Sequence, residues 1–517
     1  MTVHKLTAGD GYAYLSRQVA AQDTTAPPTG SLSGYYTARG EEPGRWMGRG
    51  VHGLAGLSPD CTVLEAQMRA LFGEGRHPNR AQVESDAVAA GSSPAAADRA
   101  SRLGAPYPLF TDDGEFRRRC ARAYQELNAD RGEAVGAPVP AEDRARIGTA
   151  IASDMFREQF GRDPLDPREL SGHLARISRQ RTTAVAGYDL TFSPVKSVST
   201  LWAIASRDIA DVIEQAHADA VADVLAWLED HATYTRAGRH SVAQVDARGL
   251  LAAAFTHRDS RAGDPDLHTH VAISNKVQTL DGRWQALDGR PLYANTVAAS
   301  ERYNTRIESF LSERLGVRFA ERPGGEPGKR PVREIVGVDG PLPRVWSSRR
   351  AAIDTRRAEL SAAFQTDHGR PPTALEATRL AQQANLETRQ AKHEPLTYAE
   401  QRAAWRTSAL SVLGGEHELD AYLHRALHPS GAPTGPVVTP GWVSKVAASA
   451  VERVSLMNAT WAEVHVRAEA ERRVRLSGIR AAELDAVVED VVTCALLSVA
   501  VPKSPRVAIE KSPLMAR

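Results

Sequence analysis

Three histidines define the chemistry this chain could carry out. His257, His268 and His270 lie between Phe255 and Asn275. His268 and His270 are two residues apart, inside Leu267 to Ile273, a run rich in apolar and β-branched side chains. Such a run is a strand, and strand residues i and i+2 share a face. Thr269 then points the other way. The span from Arg258 to Leu267 is charged and holds Gly263, Asp264 and Pro265, so it reads as a turn. A hairpin folded there brings His257 beside the pair. Three imidazole nitrogens on one face form a metal site with open positions. Histidines exposed along a strand edge would have the same spacing, so the rest of the chain has to decide.

Other residues offer complementary chemistry. Tyr12, Tyr14 and the pair Tyr35-Tyr36 cluster near the N-terminus. Packing and hairpin propensity account for many tyrosines, but a tyrosine hydroxyl is also a covalent nucleophile. Asp189 falls inside Tyr188 to Phe192, which alternates like a strand, where a carboxylate is out of favour. It is either a solvent-facing edge residue or a functional acid. Lys196 sits at a helix start, where a phosphate could be met. Arg45, Arg49, Arg258 and Arg261 are phosphate or base contacts, or else surface salt-bridge partners.

Composition sets outer bounds. A chain of 517 residues is long enough for two to four domains. No stretch approaches the roughly 20 apolar residues of a membrane span, and nothing at the N-terminus suggests export. Cys61, Cys120 and Cys494 are scattered without metal-finger spacing, which fits a reducing cytoplasm. A formal net charge of +1 neither announces nor excludes a nucleic-acid binder.

The elements that must position these residues can be placed coarsely. Val3 to Thr7 is β-like. Ala87 to Arg99, rich in Ala and Ser, reads as a surface loop. Arg117 to Asn128 and Ala141 to Phe160 read as helices. The basic run Arg176 to Arg181 is a solvated face or a phosphate contact. After the strand at Tyr188 to Phe192, Ser193-Pro194 ends it and a helix follows from Ser197. Ile209 to Leu228 is an amphipathic helix, with Ile209, Val212, Ile213, Ala216, Ala220, Val224 and Leu228 on one face. Strand-like runs come at Thr233 to Ala237 and Gly249 to Thr256, before the histidine strand. Asp281-Gly-Arg-Trp and Asp288-Gly-Arg-Pro are tight-turn signals, and Tyr293 to Leu315 reads as one helix. Residues 180 to 320 are therefore α+β, a mainly antiparallel sheet covered by helices.

Together these residues resemble a known family. The N-terminal tyrosines, Gly44-Arg-Trp-Met-Gly-Arg-Gly50, Gly187-Tyr-Asp-Leu-Thr-Phe-Ser-Pro-Val-Lys-Ser-Val-Ser199 and the three histidines occur in the order found in conjugative relaxases of the MobF class, which include TraI and TrwC. The resemblance spans residues 1 to about 320. It implies an HUH-endonuclease fold, a five-stranded antiparallel palm-like sheet covered by helices. It also implies an enzyme that nicks one DNA strand at a plasmid origin of transfer. A tyrosine attacks the scissile phosphate, stays linked to the 5′ phosphate, and the strand is rejoined after transfer. His257, His268 and His270 would hold one divalent metal ion. Nitrogen ligation favours Mn, Zn or Ni over Mg by affinity, and Mn, Mg and Zn all stay open because availability also decides. Asp189 matches the family aspartate, as proton acceptor for the tyrosine or as orienter of a metal-bound histidine. Tyr12-Ala13-Tyr14 stands where the family carries its first tyrosine pair; Tyr12 is placed first as attacking residue, with Tyr14 next. Tyr35 or Tyr36 would serve a second strand transfer or simply pack. The polar Thr269 departs from the superfamily pattern, but faces away from the metal.

The resemblance also organises the remainder. Residues 1–325 would be the relaxase domain, with a partly helical insertion at about 75–180. Pro323 to Pro331 reads as a linker, and residues 326–517 as an α-helical extension resembling the segment that joins relaxase to helicase. Ser347 to Arg350 opens this helical region, and Thr373/Glu376, Thr397/Glu400 and Thr460/Glu463 read as capping boxes. Trp442 to Val454 and Ala481 to Val499 read as further helices. No Gly-x-x-x-x-Gly-Lys-Ser/Thr phosphate loop occurs, so no ATPase is expected. Expected partners are single-stranded or hairpin origin DNA, relaxosome accessory proteins and a type IV secretion coupling protein. The expected setting is a monomer in a bacterial cytoplasm, encoded on a plasmid or mobile element. Two alternatives remain: a rolling-circle replication initiator with the same chemistry, and a non-catalytic origin-binding module.

Overall fold

Five of the strand-forming segments assemble into a central sheet, and the segment from Tyr234 to Ala237 pairs instead with Ala243–Asp246 in a separate hairpin. The computed structural model describes residues 1–13, 15, 43–108, 114–137, 139–178, 184–323, 330–388, 396–430 and 436–499. The sheet contains β1 (Thr2–Thr7), β2 (Arg45–Met47), β3 (Val185–Phe192), β4 (Ala252–Asp259) and β5 (Pro265–Ser274). Its spatial order is β1-β3-β5-β4-β2, and every neighbouring pair is antiparallel. β3 and β5 are buried at almost every position because both faces are covered. On one face Leu6, Trp46, Ala253, Phe255 and Ala272 pack against Tyr12, Leu15, Met68 and Phe72. On the other, Leu190, Phe192, Val271 and Ile273 pack against helices.

Between β2 and β3 the chain is mostly helical: α1 (Arg80–Ala89), α2 (Pro94–Ala100), α3 (Glu115–Asp130), α4 (Ala141–Phe160) and α5 (Pro167–Ile177). The loop expected at Ala87 to Arg99 is thus the end of one helix and most of a second. Alanine is the best helix former, and the Ser93 side chain caps α2 by accepting the Ala96 N–H, with Pro94 in the first turn. Phe116, Cys120 and Ala152 form a small core of their own between α3 and α4.

After β3 come α6 (Lys196–Ile204), α7 (Arg207–His231), α8 (Gly289–Ala294) and α9 (Thr296–Leu315). Asp288 makes no tight turn; its side chain accepts the Arg290 N–H and caps α8. The single helix expected from Tyr293 is split at Asn295. A short hairpin, β6 (Phe319–Glu321) with β7 (Arg333–Ile335), spans the proposed linker, of which residues 324–329 lie outside the described set.

The C-terminal part is helical: α10 (Ser348–His368), α11 (Ala374–Glu387), α12 (Tyr398–Leu413), α13 (Glu416–Leu427), α14 (Pro440–Met457), α15 (Glu463–Arg475) and α16 (Ala481–Val499). Thr373 and Thr397 cap as expected. Thr460 does not: α15 starts at Glu463, and the His465 ring accepts the Ala462 N–H at 2.9 Å instead. Of these helices α12 and α13 join the main core through Trp405, Ala409, Leu419 and Tyr422, and α15 reaches it at Ala468. α14, α15 and α16 enclose a core of their own around Ala447, Val466, Val474, Val488 and Val491. Among the described residues, no helix is long and apolar enough to cross a membrane.

Candidate active site

The β4–β5 hairpin sets the positions of the three histidines. His257 lies directly opposite His268, and His270 follows two residues along on the same face. The register shifts just after His257, and Ser260 to Asp264 closes the turn with a bond from the Ser260 N–H to the Asp264 carbonyl. Gly263 has φ 79°, a left-handed conformation that a Cβ would strain. The ring centroids are 5.2, 5.2 and 5.3 Å apart. One nitrogen from each ring lies within 4.8 Å of the others. His257 and His270 are buried and His268 is half-buried.

Two of the rings are oriented by hydrogen bonds. The His268 Nδ1–H donates to the Asp266 carbonyl at 2.7 Å. The His270 Nδ1–H donates to the Asp189 carboxylate, at 3.0 Å to Oδ1 and 2.9 Å to Oδ2. A carbonyl and an ionised carboxylate only accept, so the proton in both rings sits on Nδ1. With the proton on Nδ1, Nε2 is the atom of each ring that would bind a metal ion. Three neutral nitrogen donors converging this way, with a carboxylate behind one of them, fit a divalent transition-metal ion.

Asp189 is not a solvent-facing edge residue. It lies on β3, between β1 and β5, and is 1% exposed. Its carboxylate meets the His270 ring through both oxygens. Lys196 is half-buried at the start of α6, where its ammonium donates to the Pro265 carbonyl at 2.5 Å and burial lowers its pKa. It therefore braces the end of the histidine hairpin. Arg49 pairs with Glu229 at 3.0 Å and Asp230 at 2.5 Å, the salt-bridge alternative of the sequence reading. Arg258 stacks its guanidinium over Tyr398, 4.3 Å from the ring centre. Arg45 is exposed on the edge strand β2, and Arg261 is half-buried in the hairpin turn.

The tyrosines divide. Tyr12 follows β1 in a turn and is 5% exposed, packed in the core on the histidine face of the sheet. Tyr14, Tyr35 and Tyr36 lie outside the described residues, as do Arg179 and Arg181. Sequence reasoning missed His217 and Tyr303, which stand behind the histidine strand. The available signal was a histidine next to the apolar stripe of α7, four residues after Ile213.

Comparisons with known proteins add to this geometry. The chain is 30% identical over 234 residues to the multifunctional conjugation protein TraI of Escherichia coli (strain K12), a match covering 41% of this chain and 12% of TraI. A second TraI, also from Escherichia coli, is 31% identical over 196 residues, or 34% of this chain and 11% of that protein. The match therefore spans only a small part of the length of these relatives. Among solved structures, a copper-bound complex of the conjugative relaxase TrwC with oriT DNA covers 80% of this chain and 99% of its own, at 20% identity and a TM-score of 0.44. A metal-free TrwC–oriT complex covers 58% and 96%, at 24% identity and a TM-score of 0.38. The family model described as TrwC relaxase matches residues 8–412, most of the chain, and the protein accordingly belongs to that family.

Proposed function

We propose that this protein is a conjugative relaxase that nicks one DNA strand at a plasmid origin of transfer and later rejoins it. The observation that carries the reading is the triangle of His257, His268 and His270, with Asp189 fixing the tautomer of His270. These three residues would hold one divalent ion, Mn, Mg or Zn. When bound, the ion supplies positive charge for the non-bridging oxygens of the scissile phosphate.

The protein's own residues do the rest. A tyrosine oxygen attacks phosphorus, forming a phosphotyrosyl ester to the 5′ side, while the bond to the 3′ oxygen breaks. The tyrosine proton must leave, because a free tyrosine has a pKa of about 10 and is a weak nucleophile near neutral pH. The departing 3′ oxygen takes up a proton and becomes a hydroxyl. The reverse reaction reseals the strand. Tyr12 is the first candidate for the attacking residue, with Tyr14 next; Tyr12 packs on the face of the sheet that carries the three histidines. Tyr35 or Tyr36 would act in a second transfer. Arg45 and Arg261 are the basic residues we assign to the DNA strand.

The substrate would be single-stranded or hairpin origin DNA, with relaxosome accessory proteins and a type IV coupling protein as partners. The setting would be a bacterial cytoplasm, with the gene on a mobile element and the enzyme monomeric. Residues 1–325 would carry the chemistry, and residues 326–517 would support them.

The test is a denaturing gel of protein incubated with single-stranded origin DNA and Mn²⁺. A covalent adduct should form, map to Tyr12 or Tyr14 by peptide mass, and vanish with EDTA, with Tyr12→Phe or Tyr14→Phe according to which residue carries it, or with His268→Ala. Tight DNA binding with no adduct under any metal would leave a binding module instead.

A further inference from the structure

A buried hydrogen-bonded chain crosses the back of the histidine strand. Tyr303 on α9 bonds His217 Nδ1 on α7 at 2.7 Å, His217 Nε2 bonds Thr269 Oγ1 at 2.8 Å, and Thr269 Oγ1 meets Thr256 Oγ1 at 2.9 Å. His217, Thr269 and Tyr303 are all buried, where the apolar side chains of the main core pack on the sheet. Thr269 is the residue between the two ligand histidines.

The direction of the bonds follows from proton counting. The fully buried Tyr303 hydroxyl has one proton to place, and His217 Nδ1 is its hydrogen-bond partner. Nδ1 must then accept, so His217 is neutral with its proton on Nε2. That N–H donates to Thr269, whose hydroxyl donates to Thr256, and Thr256 is exposed and can turn its own proton to water. A doubly protonated ring would strand the tyrosine proton.

We propose that His217, backed by Tyr303, is a positioning residue that pins the register of β5 and so sets His268 and His270 at the metal. The inference rests on the reading that the three histidines hold a metal. Sliding a strand by one residue turns every side chain to the other face. Such a slip of β5 would put Thr269 on the metal face and bury both histidines under α7. A slip of two residues would keep the faces but set Leu267 or Val271 against His217, and neither can accept its N–H. Only the native register satisfies the buried imidazole, and leaving a buried donor unpaired is costly. A trio of apolar residues would fill the same space without choosing a register.

Two properties separate a register pin from ordinary packing. Replacing every buried partner with an apolar group of similar shape restores stability but removes the pin. Thr269→Val, His217→Leu and the triple variant that adds Tyr303→Phe to both would be compared with wild type by thermal melting and by Mn²⁺ binding to the DNA-free protein. Each single variant should lose stability and bind Mn²⁺ about tenfold or more weakly, as with other residues that orient metal ligands. The triple variant, which leaves no buried hydroxyl or ring N–H without a partner, should regain most of the stability and stay weak for Mn²⁺. Recovery of both together, or Mn²⁺ affinity within twofold of wild type throughout, would overturn the inference. Wild type that binds no Mn²⁺ would overturn the metal reading as well. Should the triple variant not fold, Thr269→Ser against Thr269→Val decides: wild-type affinity is expected for Ser, and equal affinities of the two overturn the inference.

Discussion

At the scale of single residues, the candidate site depends on which nitrogen of each imidazole carries its proton. Asp189 fixes this for His270 with a buried carboxylate. Asp189→Asn keeps the shape but offers a neutral amide oxygen, and can turn its NH₂ toward the ring. Metal affinity should fall about 10- to 100-fold, with little change in melting temperature; isothermal titration with Mn²⁺ checks it, and unchanged affinity would remove Asp189 from the site. His217 makes a second prediction. Burial pushes its pKa down to about 3, against roughly 6.5 in the unfolded chain. Between these values the unfolded chain binds a proton that the folded protein refuses. Its contribution to stability is therefore full above about pH 6.5 and is lost as pH falls toward 3, by up to about 1.4 kcal/mol per pH unit. Denaturant melts in EDTA should show the gap between wild type and His217→Leu narrowing from pH 7 to pH 4. A gap that stays constant would mean the ring is not held neutral.

At the scale of elements, the hairpin that carries the histidines is gripped from outside the sheet. The Trp405 indole N–H on α12 donates to the Gly263 carbonyl at 2.9 Å, and Gln401 reaches Asp259 at 3.0 Å. Ser348 at the start of α10 bonds Asp264 at 2.5 Å. Trp405→Phe keeps most of the packing and deletes one donor, a loss of about 1 kcal/mol. Amide exchange at Ser260 and Gly263 should quicken; exchange unchanged there would mean the turn holds itself. Much of this architecture was legible in the sequence, because period-two and 3.6-residue patterns report burial directly. The histidine strand, α7, α4 and α16 follow such patterns closely. Patterning failed where the local rule was ambiguous. Ala87 to Arg99 has loop-like composition and high helix propensity, and propensity prevailed. Asp288-Gly has turn chemistry, yet an Asp side chain caps a helix equally well. β2 has only three residues, too few to show a period. The grip on the hairpin was invisible, since it joins residues more than 80 positions apart and two of its three acceptors are backbone or turn groups.

At the scale of the whole molecule, the C-terminal helices are bound to the sheet-covering layer through buried charge rather than apolar contact alone. Arg302 and Arg306 on α9 are 8% and 2% exposed. Arg302 pairs with Asp223 on α7 at 2.5 Å and with Asp485 on α16 at 2.7 Å, and Glu471 on α15 lies 3.7 Å away. Arg306 reaches the same Asp223 at 3.2 Å and also Asp485. Glu301 on α9 in turn meets Arg472 at 2.7 Å and Arg475 at 3.0 Å on α15. Breaking such a network differs from breaking a surface pair, because one of the groups left behind, Glu471, has no water to turn to, whereas the Asp485 side chain is exposed and can be hydrated. Arg302→Ala strips Glu471, itself 2% exposed, of its nearest cation and should destabilise the protein by about 3–5 kcal/mol. The exposed pair Arg119–Glu158 on α3 and α4 is the control, and Arg119→Ala should change stability by no more than about 1 kcal/mol. Chemical denaturation of both variants, with limited proteolysis between α13 and α14, distinguishes the cases. Losses of similar size would show that the charges between α9 and α15 are as solvated as those on the surface. A large loss for Arg302→Ala, with early cleavage ahead of α14, would show that they hold the C-terminal helices against the layer that carries His217 and Tyr303.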